Sequence, residues 1–203
     1  MITLIDTQQS NISSVRNMLK RIGVPNVTAQ SPADVVDAKK LILPGVGHFG
    51  TVMNWLNESG YRAALDEAVQ VRKTPVLGIC LGMQLMAKYS EEGNAEGLGW
   101  VDARVREFDH VSTLPVPHMG WNDVLFREGI FAKGYRESPR FYFVHSYFVS
   151  CDNEADVLGT THYGHDFVSA FQRGNVVGAQ FHPEKSHAFG MNFLKKFAEE
   201  FHG

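Results

Sequence analysis

The sequence predicts an α/β fold: an open, mostly parallel, twisted sheet flanked by helices, with an antiparallel extension in its second half. Two apolar runs, Leu41 to Leu43 and Pro75 to Ile79, lack the alternation of a half-exposed strand and read as buried strands. Helical patterns separate them, as a parallel sheet covered on both faces requires. Beyond Trp100 the pattern changes: strand candidates follow one another with few helices between, which gives the antiparallel extension.

Taken in order, Ile2 to Ile5 is a short apolar strand. Ser13 or Ser14 caps a helix whose apolar positions Val15, Met18, Leu19 and Ile22 follow the helical period, and Gly23 ends it. Val27 to Ala29 forms a second strand and Asp34 to Lys39 a short helix. After the strand at Leu41, Pro44-Gly45-Val46-Gly47 forms a turn. Tyr61 to Val71 is helical, and Leu81 to Tyr89 is the helix that follows the strand at Pro75. Trp100 to Phe108, Phe141 to Ser150, Phe167 to Gln172 and Val176 to Gln180 are strands. The last helix, Ala188 to Phe201, carries Phe189, Phe193, Phe197 and Phe201 at spacing four, a stripe that packs on the core. With no repeat, linker or low-complexity tract, residues 1–203 are expected to form a single domain.

Composition narrows the function. Charged residues are 20% and hydrophobic residues 44% of the chain, an ordinary globular balance. The net charge is -3 and no Lys/Arg run stands out, which argues against nucleic acid or an anionic membrane as partner. The N-terminal residues read as neither a signal nor a transit peptide, and no apolar stretch has the length of a membrane span. Two cysteines, Cys80 and Cys151, do not make a disulfide framework, so the expected setting is cytoplasmic and reducing.

The chemistry begins at Gly78-Ile79-Cys80-Leu81-Gly82, where an apolar strand meets a helical pattern. A thiol on such a turn is a candidate acyl-transfer nucleophile, because the helix start favours the thiolate and the glycines permit the crowding. The backbone N–H of Leu81 would face a developing oxyanion. The alternative at this point is a buried structural cysteine. His182-Pro183-Glu184 ends another apolar strand. Residues i and i+2 project to one side, so Glu184 would orient His182 while the second ring nitrogen faces Cys80. An ordinary loop His and Glu is the competing reading. Ser146 beside His145 is a rival nucleophile, less suited because it lies within a strand. The Gly45 to Gly47 turn also follows a parallel strand and would share the crevice at the carboxyl ends, presenting an N–H to the same oxyanion. His162 and His165 have His-x-x-His spacing without a third ligand, so no metal site is expected, and no dinucleotide or phosphate motif calls for a cofactor.

Leu43 to Gly47, Gly78 to Gln84 and Gln180 to Ser186 together resemble the Cys-His-Glu class I glutamine amidotransferases, whose sheet is flavodoxin-like. Within that class, Pro117 to Asn122 and Tyr142 to Tyr147 resemble the glutaminase subunits of imidazole glycerol phosphate synthases. The resemblance implies hydrolysis of glutamine, with ammonia passed to a separate synthase (cyclase) subunit of (β/α)8-barrel fold in a heterodimer that serves histidine biosynthesis. It implies Cys80 as nucleophile, His182 as base and then acid, and Glu184 as orienter. It also implies that Gln84 and Glu92 hold the polar end of glutamine, with Gly45, Gly47, Ser146 and Tyr147 on the other side. Asn11, Trp121, Tyr142 and Lys185 would face the partner.

One segment departs from the family pattern. Many members carry Asp-Tyr-Gly-x-Gly-Asn after the first strand, where this chain has Asp6-Thr7-Gln8-Gln9-Ser10-Asn11. That loop lies on the partner side in the family, so an amidotransferase of bacterial surface-sugar biosynthesis is an alternative acceptor. A thiol peptidase or γ-glutamyl hydrolase, and a non-catalytic interaction module, are the readings from other classes. Gln84 and the Pro117 to Asn122 segment argue against the hydrolases.

Overall fold

The computed structural model describes residues 1–8, 11–108 and 114–203. Gln9 and Ser10, within the departing loop, lie outside the described residues. The first half runs β1 (Ile2–Leu4), α1 (Ile12–Arg21), β2 (Asn26–Thr28), α2 (Pro32–Val36), β3 (Leu41–Gly45), α3 (Phe49–Glu58), α4 (Tyr61–Asp66), β4 (Val76–Cys80) and α5 (Leu81–Leu85). It continues through β5 (Tyr89–Ser90), β6 (Ala95–Glu96), β7 (Ala103–Glu107), β8 (His118–Asp123) and β9 (Leu125–Phe126). The rest comprises β10 (Arg140–His145), β11 (Tyr147–Cys151), β12 (Val157–Tyr163), β13 (His165–Arg173), β14 (Val176–Ala179) and α6 (His187–Glu199).

The main sheet has the order β2-β1-β3-β4-β14-β13-β11-β7-β5-β6, with β12 paired to β13 and β9 paired to β12. From β2 to β14 neighbouring strands are parallel, and β13, β12 and β11 are the antiparallel extension. An apolar layer covers each face. One contains Phe49, Val52, Met53 and Leu56 of α3 with Leu65, Met86 and Trp100. The other contains Val15 and Leu19 of α1 with Phe193, Leu194 and Phe197 of α6. The phenylalanine stripe of α6 meets the sheet there, with Phe193 edge-on to Phe181 at 5.1 Å. Burying one such ring contributes about 2 kcal/mol, so this layer is a main source of stability.

Several elements differ from the sequence expectation. Helix α1 starts at Ile12, and its N-cap is Asn11, whose Oδ1 accepts from Ser14 Oγ at 3.0 Å. Helix α2 starts earlier than expected because Pro32 occupies its first turn and the Asp34 carboxylate accepts from the Ser31 N–H at 3.0 Å. Helix α4 gives way to a wider, π-type turn at Glu67–Val71. Helix α5 stops at Leu85 rather than running to Tyr89, because the N–H groups of Leu98, Trp100 and Gly99 take the carbonyls of Leu85, Met86 and Ala87. The strand expected over Phe141 to Ser150 breaks at Ser146. Its first part, β10, pairs with β8 as a separate antiparallel ribbon, and β11 belongs to the main sheet. Helix α3 and strands β8 and β12 were not expected.

Candidate active site

Strand register delivers the candidate residues to one place. β3, β4 and β14 are adjacent and parallel, with Gly45 level with Cys80 and Ala179 level with Ile79. Their carboxyl ends therefore release the Gly45–Gly47 turn, Cys80 and His182 side by side. Such crevices are where open α/β sheets bind ligands. A pocket of about 370 Å3 opens there, lined among others by Val46, Gly47, Cys80, Leu81, Gln84, Glu92, Ser146, Tyr147, His182 and Lys185. Gly45 lies beneath this wall, packed against Gly82, rather than in it.

Cys80 occupies a strained turn, with φ at +54°, between β4 and α5. A non-glycine residue held there costs about 1–3 kcal/mol, and such strain concentrates at functional sites. The turn tolerates no side chains at its flanks. A Cβ on Gly82 would lie 1.8 Å from the Leu43 carbonyl oxygen, and one on Gly78 would lie 2.6 Å from that of Gly82. Gly82→Ala should therefore destabilise the protein by about 3 kcal/mol, the upper range for overpacking. Denaturant unfolding would show it, and an unchanged midpoint would contradict this packing of the turn. The short α5 contributes less dipole to the sulfur than the expected helix would have done.

His182 is coupled electrostatically to the Cys80 sulfur. Its ring is buried, its Nδ1 lies 2.7 Å from Glu184 Oε1, and both side chains are 3% exposed. Burial acts to lower the His182 pKa, but the Cys80 sulfur and the Glu184 carboxylate outweigh it and raise the pKa well above its ordinary value. With Nδ1 committed to the carboxylate, Nε2 is left free of any other hydrogen-bond partner among the described residues. Gln180 Nε2 approaches the Cys80 sulfur to 3.8 Å and the Val144 carbonyl lies 4.0 Å from it. Cys151 is of a different kind: burial, then Asp156 and Asp152, push its thiol up to about 12, which makes it a poor nucleophile.

The pocket floor is tied by amides. Gln84 Nε2 donates to the Tyr147 carbonyl and to Gln180 Oε1, both at 3.0 Å. The Glu92 carboxylate accepts from the Phe49 N–H at 2.8 Å, which joins the far wall to the start of α3. Ser146 sits at the break between β10 and β11, so it lines the pocket from a bend, not from inside a strand.

Of the expected partner-facing residues, three cluster. Trp121 and Tyr142 are cross-strand partners in the ribbon, and Lys185 Nζ lies 5.6 Å over the Tyr142 ring. Trp121 and Met119 are exposed, and Trp121 stacks on His187 at 5.4 Å. Asn11 is the N-cap of α1. The ribbon is bound to the candidate base: the His182 N–H donates to the Tyr142 carbonyl at 2.9 Å, and the Tyr142 N–H donates to Ser186 Oγ at 3.0 Å.

A model of the class-I glutamine amidotransferase family matches residues 3–201. The chain belongs to that family. Among its relatives is the imidazole glycerol phosphate synthase subunit HisH of Bdellovibrio bacteriovorus, 48% identical over 98% of this chain and 100% of that protein. The corresponding HisH 2 proteins of Pseudomonas aeruginosa and Methanococcus maripaludis are 46% and 43% identical, over 98% of this chain and 99% and 100% of theirs. The fold matches a crystal structure of a glutamine amidotransferase with a TM-score of 0.77 at 20% identity, over 98% of this chain and 97% of that one. It matches the structure of PurLQS from Thermotoga maritima at 0.74 and 16%, over 97% and 96%. The mostly parallel class-I amidotransferase sheet expected from sequence is the one observed.

Sequence reasoning missed one feature beside the pocket, a buried histidine pair. His118 and His145 are 3% and 6% exposed, with Nδ1 of the first 2.9 Å from Nε2 of the second. Burial holds His118 down at about 4 and His145 at about 3. Because the folded pKa values are depressed, the unfolded chain binds more protons below about pH 6.5. Stability should thus be full above that pH and fall as the pH drops through about 4. Other groups at the pair are Tyr163 against His118, His165 across Phe108, and His182, whose charge also disfavours a charged His145. The raised pKa of His182 acts only above about pH 6.5, where stability falls as pH rises. Denaturant unfolding at about pH 7 and about pH 5 should show the loss, and replacing both histidines with phenylalanine should flatten it. An equal slope in that variant would contradict the assignment.

Proposed function

We propose that this chain is the glutaminase subunit of an imidazole glycerol phosphate synthase: it hydrolyses glutamine and hands the ammonia to a separate synthase subunit in histidine biosynthesis. One observation carries the chemistry. A strained cysteine shares a pocket with a histidine whose second nitrogen is clamped by a buried carboxylate. The relatives of full length named as HisH subunits supply the acceptor.

In this reading the Cys80 sulfur bonds to the side-chain amide carbon of glutamine. The oxyanion is held by the Leu81 N–H and the Gly45–Gly47 turn. His182 gives its proton to the nitrogen as the C–N bond breaks, and ammonia leaves. Water then attacks the thioester carbon, His182 takes its proton, and the C–S bond breaks to release glutamate and the thiolate. Glu184 holds the ring and stabilises the imidazolium. Gln84 and Glu92 bind the polar end of glutamine, with Gly47, Ser146 and Tyr147 opposite, while Gly45 supports the turn from beneath. No step needs a metal or cofactor.

Residues 1–203 act as one glutaminase domain, since both apolar layers close on the same sheet. The partner is a (β/α)8-barrel subunit that docks on Asn11, Trp121, Tyr142 and Lys185. Lys185 lines the pocket and also covers Tyr142, so the ammonia exit and the docking face adjoin. Both cysteines are free thiols, which suits a cytoplasmic enzyme. Among the described residues no helix is long and apolar enough to cross a membrane.

The test is glutamine hydrolysis with and without the barrel subunit. Because the ribbon is hydrogen-bonded to His182, docking biases the site, and hydrolysis should rise about a hundredfold in the complex, at the strong end of ordinary coupling energies. A free chain as fast as the complex would refute this. Failure to bind the barrel, with ammonia delivered instead to a sugar amidotransferase, would move the acceptor and leave the glutaminase.

A further inference from the structure

The buried histidine pair belongs to a chain of hydrogen bonds that runs from the ribbon to the nucleophile. His118 and His145 are cross-strand partners in β8 and β10. Asn122 Nδ2 lies 3.2 Å from His118 Nε2, and His118 Nδ1 lies 2.9 Å from His145 Nε2. His145 Nδ1 lies 2.7 Å from the Tyr147 carbonyl oxygen. That same oxygen accepts from Gln84, whose amide reaches Gln180, which in turn reaches the Cys80 sulfur.

The protons in this chain have one consistent placement. A carbonyl oxygen only accepts, so His145 Nδ1 carries the hydrogen. In the neutral ring its Nε2 must then accept, which makes His118 Nδ1 a donor and His118 Nε2 an acceptor. The Asn122 amide nitrogen supplies the matching donor. Its orientation is fixed independently, because Asn122 Nδ2 donates to the His162 carbonyl at 3.0 Å and Asn122 Oδ1 accepts from the Asp123 N–H at 2.8 Å. From Asn122 to the Tyr147 carbonyl every donor thus points toward the pocket, and Gln84 donates to that oxygen from the other side. The opposite tautomer of either ring would set two N–H groups, or an N–H-free nitrogen and a carbonyl, against each other in a dry site.

We propose that His118 and His145 are positioning residues for glutamine hydrolysis: as a one-way relay they hold the Tyr147 carbonyl, and through it Gln84 and Gln180, in place beside Cys80. The inference rests on the glutaminase reading and extends it inward from His145, which lines the pocket, to His118 behind it. The ribbon's outer side shows Met119 and Trp121 to solvent while His118 and Asn122 on its inner side start the relay, so one strand serves both faces.

The test uses the chain in complex with its synthase subunit, after the wild-type complex has been shown to turn over glutamine. Loss of that control would concern the proposed function, not the relay. Three variants are compared: His145→Asn, whose amide nitrogen takes the place of ring Nδ1; His145→Gln, whose amide reaches only the place of Nε2; and His145→Phe, which has neither. The Phe and Gln variants should raise the KM for glutamine about tenfold, the order of one buried hydrogen bond, with synthesis from ammonium salts unchanged. His145→Asn should recover to within about threefold of wild type. If all three are impaired alike, or KM follows melting temperature instead of side-chain identity, the ring is only filling space and the proposal fails. Asn122→Asp removes the first donor from a less buried position, so it gives a reading even if the ring variants do not fold, and it too should raise KM. An unchanged KM there would overturn the relay. Nitrogen-15 spectra of labelled histidine provide a second measurement on the native complex: both rings should be Nδ1–H tautomers, and an Nε2–H resonance from either would overturn the direction assigned here.

Discussion

Cys80→Ala should abolish glutamine-dependent synthesis by the complex while synthesis from added ammonium salts continues. Replacing the nucleophile of a comparable acyl-transfer site costs about a millionfold in turnover, far more than any binding contact in the pocket could supply. The fold should survive, because alanine fits wherever cysteine does and the turn is set by Gly78 and Gly82. Both halves of the result matter. The loss assigns the sulfur to amide cleavage, and the surviving ammonia reaction shows that the partner's site is intact. Loss of both activities would mean that the substitution disrupted docking, and survival of both would remove Cys80 from the chemistry.

Removing His182 should be about as damaging, at about a millionfold, and removing Glu184 clearly less so, at about ten-thousandfold. The difference follows from geometry. His182 moves protons at the reacting atoms, whereas Glu184 touches only Nδ1, at 2.7 Å, and sets tautomer and orientation. Without the carboxylate, the ring also loses a contribution to its raised pKa that is smaller than that of the Cys80 sulfur. Glutamine turnover of the His182→Ala and Glu184→Gln complexes is the measurement. A larger effect at Glu184 than at His182 would contradict the division of roles.

Much of the frame was legible in the sequence, for physical reasons that differ by element. Strands β3, β4 and β14 are short, continuous apolar runs bounded by glycine or proline, a pattern that buried parallel strands require. The Cys80 turn showed itself through two glycines whose absent Cβ atoms are now seen to leave room for backbone. Helix α3 was equally visible, since Phe49, Val52, Met53 and Leu56 follow the helical period, and was overlooked beside the glycine turn that precedes it. The early end of α5 was not legible, because it depends on N–H groups from residues 98–100 capturing carbonyls that a longer helix would use. Nor was the break at Ser146, where an uninterrupted strand pattern is shared between two sheets. His118 and His145 lie 27 residues apart, and only the ribbon register sets one against the other. With nine histidines in the chain, no spacing could have selected this pair.

The central claim is that the Cys80 sulfur takes the γ-glutamyl group from glutamine. Acid quenching of the complex during turnover, followed by mass spectrometry of the peptide that contains residue 80, tests it most directly. A γ-glutamyl adduct on Cys80, absent in the His182→Ala complex, is the predicted result. An adduct on Cys151 or Ser146, or glutamine turnover with no covalent adduct on any residue, would contradict it.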